Sequence, residues 1–152
     1  MSLTTPAPTR VDVRGPRFAA WITTTVLVAV LVVASFAPVA AGVLLAAQAI
    51  VFALGAALGP RRSPYGALFA SLVAPRLSPV GETEPVEPLR FAQGVGLAFA
   101  AIGTLGFLAG ATTVGLIATG FALFAALLNA AFGVCLGCRM YPLLARLRPT
   151  AG

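Results

Sequence analysis

Residues 18–37 read FAAWITTTVLVAVLVVASFA, a continuous apolar run that contains no charged side chain. Coiled as an α-helix at about 1.5 Å per residue, this run reaches about 30 Å, which is the thickness of the hydrocarbon core of a bilayer. A helix also satisfies its backbone N–H and C=O groups internally, as lipid requires. The run is therefore predicted to be a transmembrane helix.

Three more runs of the same kind follow along the chain. Residues 39–58 form the second run, and residues 91–109 and 113–134 form the third and fourth. Only Pro38 separates the first two runs and only residues 110–112 separate the last two, so each pair must form an antiparallel hairpin. The predicted fold is an all-α membrane protein with four transmembrane helices in two tandem hairpins.

The polar segments complete this division of the chain. We expect a flexible cytoplasmic leader (1–17), a first hairpin (18–58), a cytoplasmic loop (59–90), a second hairpin (91–138) and a cytoplasmic tail (139–152). Apolar residues at helical spacing in the loop predict an amphipathic helix over residues 64–74 on the membrane surface. Further prolines indicate that the rest of the loop is extended. In the tail, Pro142 limits a second amphipathic helix to a short start.

Composition and charge indicate the same class of protein. The chain of 152 residues is 59% hydrophobic and 9% charged, whereas a soluble domain carries about 25% charged residues. All basic residues are arginines, and they lie only outside the apolar runs: before the first, between the second and third, and after the fourth. By the positive-inside rule we expect both termini in the cytoplasm and a multi-pass membrane protein, with the lipid bilayer and not nucleic acid as partner.

The two halves of the chain resemble each other. Arg17-Phe18-Ala19 opens the first hairpin and Arg90-Phe91-Ala92 opens the second, and a basic segment with a tyrosine follows each hairpin. The matching flanks are polar, so chance alignment of apolar sequence explains them poorly. An internal duplication is predicted, with halves related by an axis along the membrane normal and a site between them.

The strongest local motif is Cys135-Leu136-Gly137-Cys138, which we place at the cytoplasmic end of the fourth helix. In a reducing compartment a Cys-x-x-Cys pair is typical of redox or metal chemistry and not of a structural disulfide. Arg139 would favour a thiolate, whereas the C-terminus of the fourth helix would oppose it. A metal needs two more ligands, which only a dimer could supply because the chain has no His and no other Cys. Redox or persulfide chemistry, a shared metal and simple packing remain open.

Two polar residues lie deep within the predicted spans. Asn129 and Gln48 could hydrogen-bond between helices, or they could line a substrate path. No ionisable residue lies inside a span, which argues against a proton-coupled pump. Glycines permit close helix approach and favour tight packing or a homo-oligomer: Gly55, Gly59, Gly94, Gly96, Gly103, Gly106, Gly110, Gly115 and Gly120. No phosphate loop, hydrolytic triad or carboxylate pair is recognisable, so the sequence does not identify an enzyme, and we expect no cofactor.

Three segments carry a family resemblance: VDVRGPRF (residues 11–18), SPYG (63–66) and NAAFGVCLGCRMY (129–141). They resemble DUF4395, a family of small bacterial integral membrane proteins that is common in actinobacteria. The resemblance covers roughly residues 11–147, and Cys135 and Cys138 match the family's cysteine signature. It implies no established activity. The tendency of family members to be encoded near thioredoxin-like or rhodanese-like proteins implies a partner of that kind.

Three functional hypotheses follow. In the first, Cys135 and Cys138 carry out thiol redox or sulfur handling at the cytoplasmic side, with a soluble thioredoxin-like or sulfurtransferase partner docked on the basic face. In the second, the protein is a small-solute transport or channel subunit with its path near Asn129 and Gln48. In the third, the protein is a structural membrane scaffold.

Overall fold

The computed structural model of this protein describes residues 10–147, which form a bundle of helices. Its elements are β1 (Arg10–Asp12), α1 (Arg14–Ala34), α2 (Pro38–Leu58), α3 (Pro64–Leu68), β2 (Thr83–Pro85), α4 (Val86–Leu108), α5 (Thr112–Phe132) and α6 (Leu136–Leu147). A π-turn (Phe69–Val73) and a 3₁₀ turn (Ala74–Arg76) extend α3. Most of the predicted leader and the end of the predicted tail lie outside the described residues.

Helices α1, α2, α4 and α5 are each long and apolar enough to cross a membrane, which confirms the four predicted spans. Two of them begin earlier than the sequence indicated, α1 at Arg14 and α4 at Val86. Pro16 and Pro88 caused this error. Both lie in the first turn of a helix, where the missing N–H is not needed for a helical hydrogen bond.

The four long helices form a closed ring in which α1 contacts α2 and α5, and α4 contacts the same two helices. The most extensive packing joins α2 to α4, and so joins the two halves of the chain. The centre is filled by apolar side chains, including Leu27, Val30, Leu45, Ala100 and Phe107. Large apolar side chains cover the outside of the ring, as lipid solvation requires: Trp21, Val32, Ile50, Leu105 and Phe121.

Some of the predicted close approaches at glycine are present and others are not. A Cβ on Gly115 would lie 2.6 Å from ring carbons of the buried Phe107, and one on Gly103 would lie 2.6 Å from a methyl carbon of Leu45. At these positions glycine allows a large side chain of another helix to approach the backbone. By contrast, a Cβ on Gly94 or Gly120 would meet nothing within 4 Å, so these two glycines make no close approach within the part of the chain that the structure describes, and packing of them against a second copy stays a prediction.

A short antiparallel ribbon joins the N-terminal segment to the loop before α4. Arg10, Val11 and Asp12 pair with Pro85, Glu84 and Thr83 respectively. The side chain of Arg14 forms a 2.7 Å ion pair with Asp12 and donates a 3.0 Å hydrogen bond to the carbonyl oxygen of Ser78. Residues 10–17 are therefore structured, whereas the sequence predicted that they belong to a flexible leader.

The segment after α2 is helical over residues 64–76, two residues beyond the predicted end. Ser63 caps its start, because the Ser63 hydroxyl accepts a 3.1 Å hydrogen bond from the N–H of Gly66. The ring of Phe69 packs against Phe18 of α1 at a centroid distance of 5.7 Å, while Leu72 on the same segment is exposed. This segment is amphipathic, and its position at a membrane surface stays a prediction.

The segment after α5 is also helical, and it is longer than expected. Helix α6 continues through Pro142 to Leu147, so the prediction of a short helix start was wrong. Proline at this position removes one helical hydrogen bond. The helix also packs against α4, where Tyr141 lies next to Phe91 with ring centroids 5.9 Å apart. Residues 148–152 of the predicted tail lie outside the described part of the chain.

Candidate functional site

Cys135 and Cys138 lie at the junction between α5 and α6, and they form a disulfide. Helix α5 ends at Phe132, and Gly133 follows in the left-handed conformation with a φ of 67°. The N–H groups of Gly133 and Val134 bond to the carbonyl oxygens of Asn129 and Leu128, which closes the last turn. The chain can then start a new helix, and the two Cα atoms of the disulfide lie 5.2 Å apart.

Cys135 occupies the capping position at the start of α6. Its Sγ accepts a 3.2 Å hydrogen bond from the N–H of Cys138, and its carbonyl oxygen accepts one of 3.0 Å from the N–H of Arg139. This corrects the expectation that the pair sits at a helix C-terminus. At a helix N-terminus the unpaired N–H groups and the dipole favour negative charge, so a reduced Cys135 would be stabilised as a thiolate.

Gly137 allows this junction to lie directly against α4. A Cβ at residue 137 would lie 2.6 Å from the Cβ and 2.7 Å from the Cα of Ala92, closer than packed atoms allow. The residue between the two cysteines is therefore constrained by the bundle and not only by the disulfide. Sequence analysis did not single out Gly137, although its place inside the Cys-x-x-Cys motif was a signal.

A cavity of about 690 Å³ lies between the four long helices, beside this junction. Its wall includes the rings of Phe52, Phe69 and Phe99, and it reaches the surface of the bundle beside Phe121 and Phe124, which are both largely exposed. Its polar lining includes Tyr65, Gln93 and Asn129, with Arg10 and Arg61 at the exposed end. Of the two cysteines, Cys135 is the one that lines the cavity. Two candidates from the sequence, Cys135 and Asn129, therefore face one space.

Gln48 lies one side chain away from this space. It is 2% exposed, and its Oε1 accepts a 2.6 Å hydrogen bond from the hydroxyl of Tyr65, which does line the cavity. Burial raises the pKa of Tyr65, so its hydroxyl stays protonated as the donor. Gln48 Nε2 has no hydrogen-bond partner among the residues that the structure describes.

Gln93 is the lining residue that sequence analysis missed. Its side chain lies against Gly55 of α2, where a Cβ would approach Gln93 Oε1 to 2.7 Å. The available signal was an amide residue inside an apolar run, the same signal that identified Asn129 and Gln48. Within residues 10–147, no group of three His, Cys, Asp or Glu side chains could hold a metal ion. A metal shared between two copies stays a prediction.

The bundle of four long apolar helices fits a multi-pass membrane protein, with a disulfide beside a partly open cavity between the helices. A family model described as a domain of unknown function (DUF4395) matches residues 11–146. The chain belongs to this family. No protein of curated function matches the chain, and no solved structure matches it either.

Proposed function

We propose that the protein exchanges electrons with soluble thiols through the Cys135–Cys138 pair. The observation that carries this proposal is the position of the disulfide at the start of α6, where Cys135 Sγ accepts the Cys138 N–H and borders the cavity. A helix N-terminus stabilises Cys135 as a leaving thiolate, and a thiol–disulfide exchange is faster when its leaving thiolate is stable. This arrangement favours redox chemistry over packing as the role of the pair.

The exchange runs in two steps. A thiolate of the partner attacks Cys138 Sγ, a mixed disulfide forms, and Cys135 leaves as the thiolate. The second thiol of the partner then attacks the partner's own sulfur and releases Cys138. Two electrons and two protons pass from the partner to the pair, which ends as a dithiol. A thioredoxin-like protein has the two thiols that this requires.

Sulfur transfer is the variant that a rhodanese-like partner would support. The Cys135 thiolate would attack the outer sulfur of a persulfide on the partner. Cys135 then carries the persulfide, and the partner's cysteine leaves as a thiolate. Either partner would dock on the arginine-rich side of the bundle, where Arg61, Arg62, Arg139 and Arg146 are exposed.

We place this side in the cytoplasm and the bundle in the bacterial inner membrane. The arginine distribution supports this orientation, since Arg17 and Arg90 open α1 and α4 on the side where α6 begins. Reporter fusions after residue 152 and between α1 and α2 test it. A cytoplasmic signal is expected only from the first fusion, and the opposite pattern would contradict the orientation.

Matched contacts in the two halves support the proposed duplication. Arg17 donates a hydrogen bond to the carbonyl oxygen of Ala130, and Arg90 donates one to the carbonyl oxygen of Ala57. Arg90 follows Arg17 in the sequence by the same number of residues as Ala130 follows Ala57, so the two bonds are equivalent under the duplication. The ring pair Phe18–Phe69 has a near counterpart in Phe91–Tyr141, although Tyr141 is one residue out of the register that relates the other members. If the chain arose by duplication, the cavity lies between two equivalent halves, and only the second half carries a cysteine pair.

Trapping the partner tests the proposed exchange. In Cys135→Ser the remaining Cys138 thiol can still attack the disulfide of an oxidised partner. The mixed disulfide is expected to persist, and to disappear on reduction, when the second cysteine of the partner is replaced by serine, because that thiol would otherwise release Cys138. The two single variants also allow the reactivity of the two thiols to be compared after reduction. Cys135 in the Cys138→Ser variant is expected to be alkylated faster than Cys138 in the Cys135→Ser variant. Acid-quenched alkylation of cells followed by mass spectrometry measures both the mixed disulfide and the alkylation of each cysteine. Slow alkylation of both cysteines and no mixed disulfide would refute the proposal.

The cavity favours transport as a second candidate function, because Asn129 and Gln93 place two amides in a space between helices. Under this alternative, Asn129→Ala abolishes uptake of a candidate solute while the Cys135→Ala, Cys138→Ala double variant still transports it. Normal uptake by the Asn129 variant would contradict it. A scaffold with no chemistry of its own predicts little effect of either change.

A further inference from the structure

The cavity beside Cys135 has the properties of a ligand site. Its volume of about 690 Å³ lies within the roughly 300–1,000 Å³ that is usual for small-molecule sites. The wall is largely apolar, and two of its rings, Phe99 and Phe121, form a tilted pair with centroids 5.9 Å apart. A flat, apolar ring system would fit beside such a pair.

The polar groups of the cavity would orient an occupant. The amide N–H groups of Gln93 and Asn129 can donate hydrogen bonds to oxygen atoms of a ligand, and both side chains belong to the wall. These two amides lie on α4 and α5, whereas Cys135 lies at the start of α6. The two amides and Cys135 nevertheless line one and the same cavity.

The exchange proposed above leaves the pair as a dithiol, so each cycle needs an electron acceptor. The cytoplasm keeps most thiols reduced, so a pair that works on that side needs an oxidant to return it to the disulfide. That oxidant must accept two electrons. It must also enter a cavity whose walls are helices of membrane-spanning length. Ordinary lipids satisfy the second condition but cannot accept electrons.

We propose that this cavity binds an isoprenoid quinone, which accepts the electrons of the reduced Cys135–Cys138 pair; this inference rests on the exchange proposed above. The Cys135 thiolate adds to a ring carbon of the quinone. The Cys138 thiolate then attacks Cys135 Sγ and breaks the sulfur–carbon bond, and that electron pair passes to the ring. The two protons released by the thiols complete the quinol, so that one dithiol and one quinone give one disulfide and one quinol.

The test follows quinone reduction by the full chain in lipid nanodiscs. The protein is reduced, freed of reductant and mixed with a short-chain ubiquinone or menaquinone analogue. Ultraviolet absorbance measures quinol, and alkylation followed by mass spectrometry measures the disulfide. One quinol per disulfide is expected, at a rate at least tenfold above that of a denatured sample with the same thiol concentration. An equal rate in the two samples would mean a reaction in solution and would overturn the proposal.

A matched pair of variants on α5 locates the reaction. Ala125 lines the cavity, whereas Leu127 is 41% exposed on the outside of the helix. Ala125→Phe fills the cavity and is expected to slow quinone reduction at least tenfold, while Leu127→Phe leaves the rate unchanged. Both variants should still exchange with a soluble dithiol. Equal quinone rates in the two variants would overturn the quinone site, and loss of exchange in the wild type would instead overturn the proposed function.

Photo-crosslinking provides a measurement that does not depend on the filled variant folding correctly. An azido-quinone analogue added to the wild-type oxidised protein is expected to label cavity residues that are not on the outside of the ring, such as Phe52, Gln93 and Asn129. Excess unlabelled quinone should remove this labelling. Labels spread over outward-facing residues such as Trp21 and Leu105 would mean non-specific partitioning into lipid, and would also overturn the proposal.

Discussion

Arg90 donates a 2.8 Å hydrogen bond from its Nε to the main-chain carbonyl oxygen of Ala56, which ties the first turn of α4 to the last turn of α2. The same guanidinium donates a second bond, of 3.0 Å, to the carbonyl oxygen of Ala57. The last carbonyl groups of a helix have no partner within that helix, and they carry partial negative charge. Arg90 satisfies two of these groups and links the two halves of the chain.

Replacing Arg90 by alanine should therefore destabilise the bundle by about 1.5–3 kcal/mol, the range for hydrogen bonds to charged groups. Arg90→Lys keeps the charge without the planar donor set and should have an intermediate effect. Arg76→Ala is the matched control, because Arg76 is exposed on the 3₁₀ turn. Thermal unfolding of the purified protein in detergent measures all three. Equal midpoints for the Arg90 and Arg76 alanine variants would contradict the capping role.

Gly115 should be intolerant of even a methyl group. In Gly115→Ala the new Cβ meets the ring of Phe107, which is 1% exposed and has no room to move. Overpacking of this kind costs about 1–3 kcal/mol. Gly120→Ala on the same helix is the control, since nothing lies within 4 Å of its Cβ position. A lower unfolding temperature is expected for the first variant only, and similar temperatures would show that the α4–α5 contact is looser than described.

Tyr65 and Gln48 should be energetically coupled. Tyr65→Phe leaves Gln48 Oε1 buried without its donor, at a cost of about 1–3 kcal/mol. In a Gln48→Met background the same change should cost much less, because no buried acceptor is left unpaired. A double-mutant cycle on unfolding free energies measures the coupling. Additive effects would show that the hydrogen bond contributes nothing to stability.

Glu84 should make stability depend on pH in a defined direction. Burial raises the pKa of Glu84 above its ordinary value, and Arg10 partly opposes this. The fold therefore favours the protonated carboxyl group, and its contribution to stability is lost as pH rises through the raised pKa. Glu84→Gln should be more stable than the wild type at pH 7 and similar to it below about pH 4. The exposed Glu82→Gln is the control, and a stability gain that does not vary with pH would contradict this prediction.

The four long helices were predictable because the information is local. The length and the hydrophobicity of each apolar run can be read from that run alone. It is therefore predicted as a membrane-spanning helix without knowledge of the helices that pack against it. The helix starts were less predictable, because Pro16 and Pro88 end a helix in one context and begin one in another. The ribbon between Arg10–Asp12 and Thr83–Pro85 was missed because two three-residue strands far apart in the chain carry no recognisable periodicity.

The candidate site was predictable in its chemistry but not in its geometry. Cys135 and Asn129 stand out as residue types, and both line the cavity. The turn at Gly133 places Cys135 at the start of a helix and not at the end of one, and that change reverses its electrostatic environment. The cavity itself depends on how four helices from distant parts of the chain pack together, which no single segment specifies.

The β1–β2 ribbon has a consequence for the order in which the chain is made. Arg10–Asp12 leaves the ribosome before the first hairpin, but its partner strand, Thr83–Pro85, is synthesised only after that hairpin and the loop are complete. The N-terminal strand must therefore wait at the membrane surface until the start of α4 emerges. The ribbon can close only when the start of α4 has arrived on the same side of the membrane as the start of α1, so pairing of the two strands requires the second half to have the same orientation as the first.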